Sequence, residues 1–306
     1  MVCHKPSYVP DHPYLYPIEA GAALAGQPFS GMLRDDTGDN ISAENQFYCE
    51  LTPQYWAWKN DRADYYGFFH YRRYLAFREV YPVRADGSKA GSPYACPYVE
   101  CNHNHEDLKQ FGFEPARMRR VIQSYDLITV LRERINTSVY RQYSQFHDKS
   151  DLDLVIRILL KKHPEYCAAA REYLGSHDVY YMNMYVMSRK MFFAYMTWLF
   201  EILDAYRKTK GNSAECLKPR IFGFLAERLF GIFYTYQREH GARCAEVRYV
   251  RFYNTSRENW EKTEELYREF KLRPLPVSLK INMRTLNRAF PAGSRRRLFL
   301  RSLIFH

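Results

Sequence analysis

Residues 63–75 read ADYYGFFHYRRYL, and six of these thirteen residues are aromatic. Such a density of aromatic residues predicts one buried strand over 65–75 that runs into a polar end. Because alternate residues of a strand face opposite sides, Arg72 and Arg73 cannot both point into solvent if the sheet is covered on both faces. A buried guanidinium needs a carboxylate or a phosphate, so the segment predicts either a structural ion pair or a clamp for a carboxylate or diphosphate.

The rest of the chain alternates between strand and helix patterns. Further strands are predicted at 125–131 and 179–188. Helices are predicted over 150–164, with Ser150 as the cap, and over 191–206 and 221–238. Strands separated by helices predict an α/β fold with a mainly parallel or mixed sheet. Ligands of such sheets bind beyond the carboxyl ends of the strands, which is where polar residues deserve most weight.

Composition and charge divide the chain into a body and a tail. Its 306 residues are 46% hydrophobic and 17% aromatic, which excludes a disordered or low-complexity chain. The net charge is +11, but residues 271–306 contain nine basic and no acidic residues, so the other 270 residues carry only +2. We therefore predict a single domain over 1–255, with a loop or insertion at 78–115, and a basic amphipathic tail over 256–306 that contacts an anionic membrane.

The same features bound the partners and the compartment. A nearly neutral body argues against nucleic acid as a partner, although a non-catalytic nucleic-acid binder stays open as an alternative. No apolar stretch has the length of a signal peptide or a membrane span, which predicts a cytoplasmic protein held peripherally at the inner face of the cell membrane. The seven cysteines are scattered, which is typical of free thiols. Those at 96 and 101, with histidines at 103 and 105, lack common zinc spacing and favour a loop.

The segment RDDTGDNIS, residues 34–42, concentrates polar side chains just before a predicted helix. Asn40 or Ser42 could cap that helix, and aspartate favours its positive end. That interpretation accounts for one or two of these residues. A ligand-binding loop accounts for the whole cluster, including Asp35, Asp36 and Asp39.

The predicted helix 221–238 places Gly223, Glu227 and Gly231 on one stripe, with Arg220 one turn earlier. Glycine costs about 1 kcal/mol in a helix interior, so two of them indicate close approach by another group. Two interpretations stay open. Another helix packs there, or the glycines leave space around Glu227 for a substrate, with its carboxylate as general base.

Two further motifs carry less weight. Asp151 and Asp153 spell a two-aspartate pattern that binds divalent metal in many sugar transferases. Behind Ser150, the pattern favours a helix cap over a metal motif. His147 stands just ahead of this helix, and the sequence does not decide between a site residue and a loop histidine.

Taken together, these segments resemble a bacterial family of capsular and exopolysaccharide glycosyltransferases, long described only as a domain of unknown function. GDNIS and HYRRY are the most specific motifs, and the first strand, which ends in Thr-His-Lys in the family, is truncated here to Val2-Cys3-His4-Lys5. The matching stretches are RDDTGDNIS (34–42), CELTPQYWAWKN (49–60), ADYYGFFHYRRYL (63–75), YDLI (125–128), MNMYVMSRKMF (182–192) and GFLAERLFGIF (223–233).

The resemblance implies a type A glycosyltransferase fold, which is Rossmann-like, and an inverting transfer of a hexose from a UDP-sugar. Galactose or galactofuranose is the first expectation, with a lipid-linked or oligosaccharide acceptor in surface polysaccharide synthesis. The expected donor-binding residues are His4, Lys5, Asp35, Asp36, Asp39, Asn40, His70, Arg72, Arg73 and Asn183. The expected catalytic base is Glu227. A catalytically silent component of polysaccharide assembly is the alternative of another class.

Metal dependence stays open in this resemblance. The Asp-x-Asp motif of such folds is absent from the expected strand, where His70-Tyr71-Arg72 stands instead. Either the arginines replace the charge of a metal ion, or Asp35 and its neighbours hold Mn²⁺ or Mg²⁺. We therefore assign no metal ligands from the sequence.

Overall fold

The computed structural model describes residues 1–89, 98–101, 105–211 and 216–252. The chain divides into two units, Met1–Arg273 and Pro274–His306, and all described residues belong to the first. The strands are β1 Val2–Cys3, β2 Ile18–Glu19, β3 Leu33–Arg34, β4 Tyr65–Phe68, β5 Arg73–Val83, β6 Tyr98–Cys101, β7 Leu127–Val130, β8 Glu133–Arg134, β9 Asp178–Val179, β10 Tyr185–Ser188 and β11 Cys244–Phe252. The helices are α1 Asn45–Tyr48, α2 Leu51–Asn60, α3 His105–Gln110, α4 Pro115–Ser124, α5 Val139–Phe146, α6 Lys149–Lys162, α7 Cys167–Gly175, α8 Arg189–Lys210 and α9 Ile221–Glu239.

A mixed sheet forms the centre of the fold, with strand order β4-β10-β7-β11-β5. β7 and β11 run parallel, with Leu127 opposite Cys244, and β10 runs antiparallel to both β4 and β7. β6 pairs in parallel with the end of β11. All four residues of β7 are buried, as expected of a strand covered on both faces. The α/β fold class predicted from the sequence is confirmed.

A small parallel sheet of β1, β2 and β3 joins the central sheet where β4 ends. The backbone N–H of Val2 donates to the carbonyl of Phe69 at 2.8 Å, and the N–H of Tyr71 donates to the carbonyl of Val2 at 3.0 Å. This pairing carries His4 and Lys5, which follow β1, to the turn after β4.

Large aromatic side chains hold α8 against the sheet and α9 against α1. Phe192 of α8 stacks on Tyr66 of β4 at 4.4 Å between ring centroids. Phe222 of α9 stacks on Tyr48 at 4.1 Å, and both rings are buried. Such aromatic burial contributes most of the energy that fixes a helix on a sheet. It places the first turns of α9 beside the end of α1.

Residues 63–75 form two strands instead of the single strand that their composition predicted. β4 ends at Phe68, and β5 begins at Arg73. The N–H of His70 donates to the carbonyl of Arg73, and the N–H of Arg73 donates to the carbonyl of His70, so Tyr71 and Arg72 form a tight turn. The simple alternation of faces predicted for Arg72 and Arg73 was therefore wrong.

Two other local predictions need correction. The segment 78–115, expected as a loop or insertion, contains the second half of β5, then β6 and α3. α6 is capped by Asp148, whose carboxylate accepts from the N–H of Ser150 at 2.9 Å, so Ser150 is not the cap.

Asp151 and Asp153 lie on different sides of α6, because residues two apart on a helix diverge. The hydroxyl of Tyr206 donates to the buried Asp151 at 2.8 Å. The hydroxyl of Tyr140 donates to Asp153 at 2.7 Å. Both carboxylates therefore serve packing between elements, and neither the metal motif nor the predicted capping role describes them.

The predicted tail, 256–306, lies outside the described residues, and so do the cysteine at 96 and the histidine at 103. Among the helices that the structure describes, none is both long and apolar enough to cross a membrane.

Candidate active site

The turn after β4 is the centre of a cationic cluster. The ring of Tyr71 is buried, and two cations and a histidine ring surround it. Arg72 Cζ lies 5.5 Å and Lys5 Nζ 5.2 Å from the ring centroid, and the ring of His4 meets it edge-on at 4.9 Å. Tyrosine attracts cations through the negative face of its ring. Tyr71 therefore holds together residues that come from β1 and from the turn.

Arg72, Arg73 and Arg220 bring uncompensated positive charge to this place. Among the described residues, none of the three has a carboxylate within ion-pair distance, and Arg72 Nε is buried without a hydrogen-bond acceptor. Burial lowers the pKa of Arg73, and the neighbouring charge of Arg72 lowers it further. Partial desolvation and the charges of Lys5, His70, Arg72 and Arg220 lower the pKa of His4. Such a cluster is suited to an anionic ligand with several oxygens.

Two glutamates lie beside the cations. Glu227 on α9 accepts from the N–H of Met182 at 2.6 Å, and Arg228 contacts its other oxygen at 3.3 Å. Its side chain is 17% exposed, so the carboxylate is recessed but still reaches solvent. Burial raises the pKa of Glu227, against the opposing effect of Arg228. A partly accessible carboxyl group with a raised pKa is suited to accept a proton from a bound group.

Glu50 is the second recessed carboxylate and immediately precedes α2. Asn183 Nδ2 donates to Glu50 Oε1 at 2.7 Å and to the carbonyl of Gly223 at 3.1 Å. Burial raises the pKa of Glu50, although the bond from Asn183 and the charges of Arg220 and Arg73 lower it. The charge of Glu50 also raises the pKa of Glu227.

The backbone is strained around this pair. The non-glycine residues with positive φ in the described chain are Cys49 (50°), Met182 (78°), Asn183 (48°) and Arg220 (65°). All four belong to segments that contact Glu50 or Glu227 or carry the cationic cluster. Left-handed backbone costs a non-glycine residue on the order of 1–2 kcal/mol and persists where surrounding contacts hold it, commonly at functional sites.

His70 connects the turn to the same strained segment. Its Nε2 lies 2.7 Å from the carbonyl of Met182, so this nitrogen carries the proton and donates. Burial lowers the pKa of His70 to about 4, and the nearby arginines act in the same direction. His70 is therefore neutral near pH 7, and its donated bond holds Met182 in the position from which its N–H reaches Glu227.

Asp35 is buried inside the protein and is not placed to contact a sugar-nucleotide donor. Its carboxylate is fully buried and accepts from the N–H groups of Gly21 and Ala22, both at 2.9 Å, and from Thr52 at 2.6 Å. The hydroxyl of Ser42 also donates to it. All these donors are protein groups, so Asp35 fixes the loop against α2 and thereby the position of Glu50.

The remaining polar residues of the loop contact one another and α2. Asp36 pairs with Arg34 at 2.6 Å, and this bond lowers the pKa of Asp36. Asn40 donates to the carbonyls of Asp36 and Gly38, and Asp39 accepts from the hydroxyl of Tyr55 at 3.1 Å. The structure therefore brings His4, Lys5, His70, Arg72, Arg73, Asn183 and Glu227 together. Asp36, Asp39 and Asn40 form a neighbouring loop with exposed edges.

The two glycines of α9 have separate roles. A Cβ on Gly223 would lie at ordinary contact distance, 3.7 Å from Cys49 and 3.8 Å from Glu50 Oε1, so Gly223 borders Glu50 but is not required for the approach of α9. A Cβ on Gly231 would overlap the ring of Tyr173 on α7. Gly231 thus serves helix packing, and only the first glycine borders the site.

The donor loop does not fit a divalent cation. Mg²⁺ and Mn²⁺ need free carboxylate or carbonyl oxygens in a shared geometry. The oxygens of Asp35 are occupied by protein donors, and Asp36 is paired with Arg34. In the described ranges, no group of three or more His, Cys, Asp and Glu side chains could hold a metal ion.

Three members of the site had no predicted role. Tyr71 stands inside HYRRY, Glu50 has no periodicity that marks it, and Arg220 was placed one turn before Gly223 without a ligand role. Nothing in the sequence shows that Asn183 meets Glu50 across 133 residues. An open depression of about 600 Å³ lies over α4, away from the site, and its lining contains no candidate site residue.

Comparison with known proteins places this geometry in context. The profile of the family "Domain of unknown function (DUF4422)" matches residues 1–239. A structure of WbbM, described as a bifunctional glycosyltransferase in its apo form, superposes with a TM-score of 0.73 at 32% sequence identity. The alignment covers 83% of this chain and 45% of the WbbM chain, so this chain spans less than half of WbbM. A comparison with curated proteins gives no match.

Proposed function

This chain belongs to the DUF4422 family, and we propose that it is a glycosyltransferase that uses a UDP-sugar. The observation that carries the proposal is the meeting of uncompensated arginines with two recessed glutamates, at the end of β4 in a fold like that of a glycosyltransferase. Positive charge suits a departing diphosphate, and a carboxylate with a raised pKa suits the activation of a hydroxyl.

The donor side of the proposal rests on Arg72, Arg73 and Arg220. Their guanidinium groups would bind the diphosphate oxygens and stabilise the charge that develops as the sugar leaves. The cluster around Tyr71, with His4 and Lys5, would lie at the nucleotide. Since the loop at 35–40 does not fit a metal site, the arginines supply the charge that a cation supplies elsewhere.

The catalytic step is a single displacement with inversion. An acceptor hydroxyl attacks the anomeric carbon, and its proton passes to the carboxylate of Glu227. The bond from that carbon to the diphosphate oxygen breaks, and UDP leaves with the bonding electrons. The N–H of Met182 fixes one carboxylate oxygen at 2.6 Å, so the group keeps its orientation during proton transfer.

The proposal also covers the transferred sugar, the acceptor and the contact with the membrane. Galactose, in pyranose or furanose form, is the first candidate for the transferred hexose. The acceptor is a lipid-linked or oligosaccharide chain of a capsule, exopolysaccharide or O-antigen. The basic tail at 256–306 would hold the enzyme at the anionic inner face of the membrane, where such an acceptor lies.

A UDP-release assay tests the proposed reaction. Purified protein is incubated with UDP-galactose, UDP-galactofuranose or UDP-glucose and a lipid-linked oligosaccharide fraction, with either EDTA or Mn²⁺ present. We expect acceptor-dependent UDP release that Glu227→Gln reduces by about 10²–10⁴-fold while donor binding persists. Donor or glycan binding with no turnover under any condition would favour a non-catalytic component of polysaccharide assembly.

A further inference from the structure

A groove adjoins the candidate site at the start of α9, where Arg220 lies over Phe224 of its lining. Its volume is about 430 Å³, within the range of roughly 300–1,000 Å³ that small-ligand sites occupy. It is lined by Gln145, Phe146, His147, Asp148, Asp151, Lys218, Pro219, Ile221 and Phe224.

The groove is continuous with the site along α9. Arg220, Phe224 and Glu227 follow at four- and three-residue spacing and share one face of the helix start. Arg220 Cζ lies 4.9 Å from the ring centroid of Phe224, so the guanidinium borders both places. The charges of Arg228 and Arg220 also contribute to the lowered pKa of His147, which burial lowers most.

Aromatic surfaces form the floor and the edge of the groove. His147 packs on Phe224 at 4.1 Å and on Tyr143 at 4.8 Å between centroids. Phe146 is 72% exposed, which is the largest exposed fraction among the large hydrophobic side chains in the described part of the chain. At the edge of a concave site, an exposed aromatic ring offers a ligand a flat apolar contact surface. Pyranose rings offer apolar C–H faces to such surfaces.

The charges in the groove are balanced among themselves. Lys218 Nζ lies 2.7 Å from Asp148 and 3.3 Å from Asp151, and Lys210 pairs with Asp151 at 2.8 Å. This contrasts with Arg72, Arg73 and Arg220, which lack a carboxylate partner among the described residues. Electrostatic complementarity therefore favours a phosphate at the arginines and an uncharged ligand in the groove.

We propose that this groove binds the acceptor as a neutral saccharide, with Phe146 stacking on a sugar ring and His147 facing its hydroxyls. The proposal rests on the proposed glycosyltransferase function and names the acceptor subsite. A sugar held here would present a hydroxyl toward Glu227, one helical turn beyond Phe224 along α9. Phe146 and His147 would hold the acceptor in position, and neither of them would take part in proton transfer.

Saturation-transfer NMR on the full chain tests the subsite, with methyl β-D-galactopyranoside as neutral probe and methyl β-D-glucuronide as anionic probe. We expect the neutral probe to receive saturation and Phe146→Ala to weaken its binding about fivefold or more. Phe146→Trp should restore it. Phe193→Ala, which truncates a 36% exposed phenylalanine on α8, should leave it unchanged. Because Phe146 is exposed, its truncation leaves the core intact.

Three outcomes would overturn the subsite: no saturation of the neutral probe by the unmodified chain, equal affinity in Phe146→Ala, or preference for the glucuronide. UDP titration of the same samples separates this proposal from the function on which it rests. UDP binding that depends on Arg72, without a Phe146-dependent saccharide, removes the groove and keeps the donor site. A Phe146-dependent saccharide without UDP binding keeps the groove and removes the nucleotide-sugar donor.

Discussion

Asn183 donates to Glu50 at 2.7 Å, and its own backbone is left-handed, with φ of 48°. The resemblance to glycosyltransferases implied that Asn183 binds the donor. In the structure its Nδ2 is committed to Glu50 and to the carbonyl of Gly223, while Oδ1 is buried without a donor. Asn183 therefore links the start of α9 to Glu50, the residue that precedes α2.

Replacing Asn183 separates its side-chain role from its backbone role. Asn183→Ala loses both bonds and keeps the strain, whereas Asn183→Gly loses the bonds and relieves it. We expect the glycine variant to unfold at higher denaturant than the alanine variant, by about 1 kcal/mol, with both below the unmodified protein. Equal stability of the two variants would show that φ at this position costs nothing.

Glu227→Gln should raise thermal stability above neutral pH. The pKa of Glu227 is raised in the folded protein, so the unfolded state releases its proton first as pH rises, and stability is lost above the unfolded pKa. Near about pH 8 the melting temperature of the variant should be higher by about 2–4 °C for each kcal/mol that ionised Glu227 costs the unmodified protein. The difference between the two melting temperatures should disappear toward about pH 4.5.

Glu201→Gln is the matched control for this titration. Its carboxylate lies on α8 beside Lys162 and His163, and the bond from Lys162 lowers its pKa. The linkage sign is opposite, so this variant should melt no higher than the unmodified protein near neutral pH. A Glu227→Gln melting point that stays below wild type at every pH would contradict the assignment of a raised pKa.

His70 should make the fold sensitive to acid. Its folded pKa, about 4, lies below the ordinary value of 6.5, so stability is complete above about pH 6.5 and is lost as pH falls toward 4. The loss is at most about 3 kcal/mol. His70→Gln can still donate to Met182 but does not titrate, so its melting profile should be flatter in this window. An unchanged slope would contradict burial of His70 as neutral imidazole.

Gly38 supports the loop that carries Asp36 and Asp39. Its φ is 58°, and a Cβ there would overlap the side-chain amide of Asn60. Gly38→Ala should cost about 1–2 kcal/mol in the free energy of unfolding. Gly26→Ala is the control, because its backbone is not left-handed and no atom lies within 4 Å of the added Cβ. Similar destabilisation in both variants would contradict the close packing of Gly38 on α2.

The sequence predicted those features of the fold that local patterns encode. The strand at 125–131 and the helices near 191–206 and 221–238 follow hydrophobic periodicity, and β7, α8 and α9 occupy these places. The division of residues 63–75 into two strands was harder to predict. Aromatic density extends across both β4 and β5, so composition gave no sign of the turn at Tyr71 and Arg72, which two backbone hydrogen bonds define.

The site was predictable only in part for a similar reason. His70, Arg72 and Arg73 stand at a strand end, where a general rule for α/β sheets locates ligands. Helix periodicity placed Arg220 near Glu227, but Glu50 is brought there by packing of α1, α2 and α9, which no local pattern reveals. Asp35 shows the converse. The dense polar loop predicted that Asp35 binds a ligand, but its carboxylate accepts hydrogen bonds from Gly21, Ala22 and other protein donors.

Calorimetric titration with UDP tests the central claim, which is that the arginine cluster binds the diphosphate of a nucleotide sugar. We expect UDP to bind, and we expect Arg72→Ala and Arg220→Ala each to weaken it by about 10-fold or more, since a charge-assisted hydrogen bond contributes about 1.5–3 kcal/mol. Arg243→Ala, a surface arginine paired with Asp126, should bind UDP as the unmodified protein does. Absence of UDP binding, or equal affinity in all variants with the fold intact, would contradict the claim.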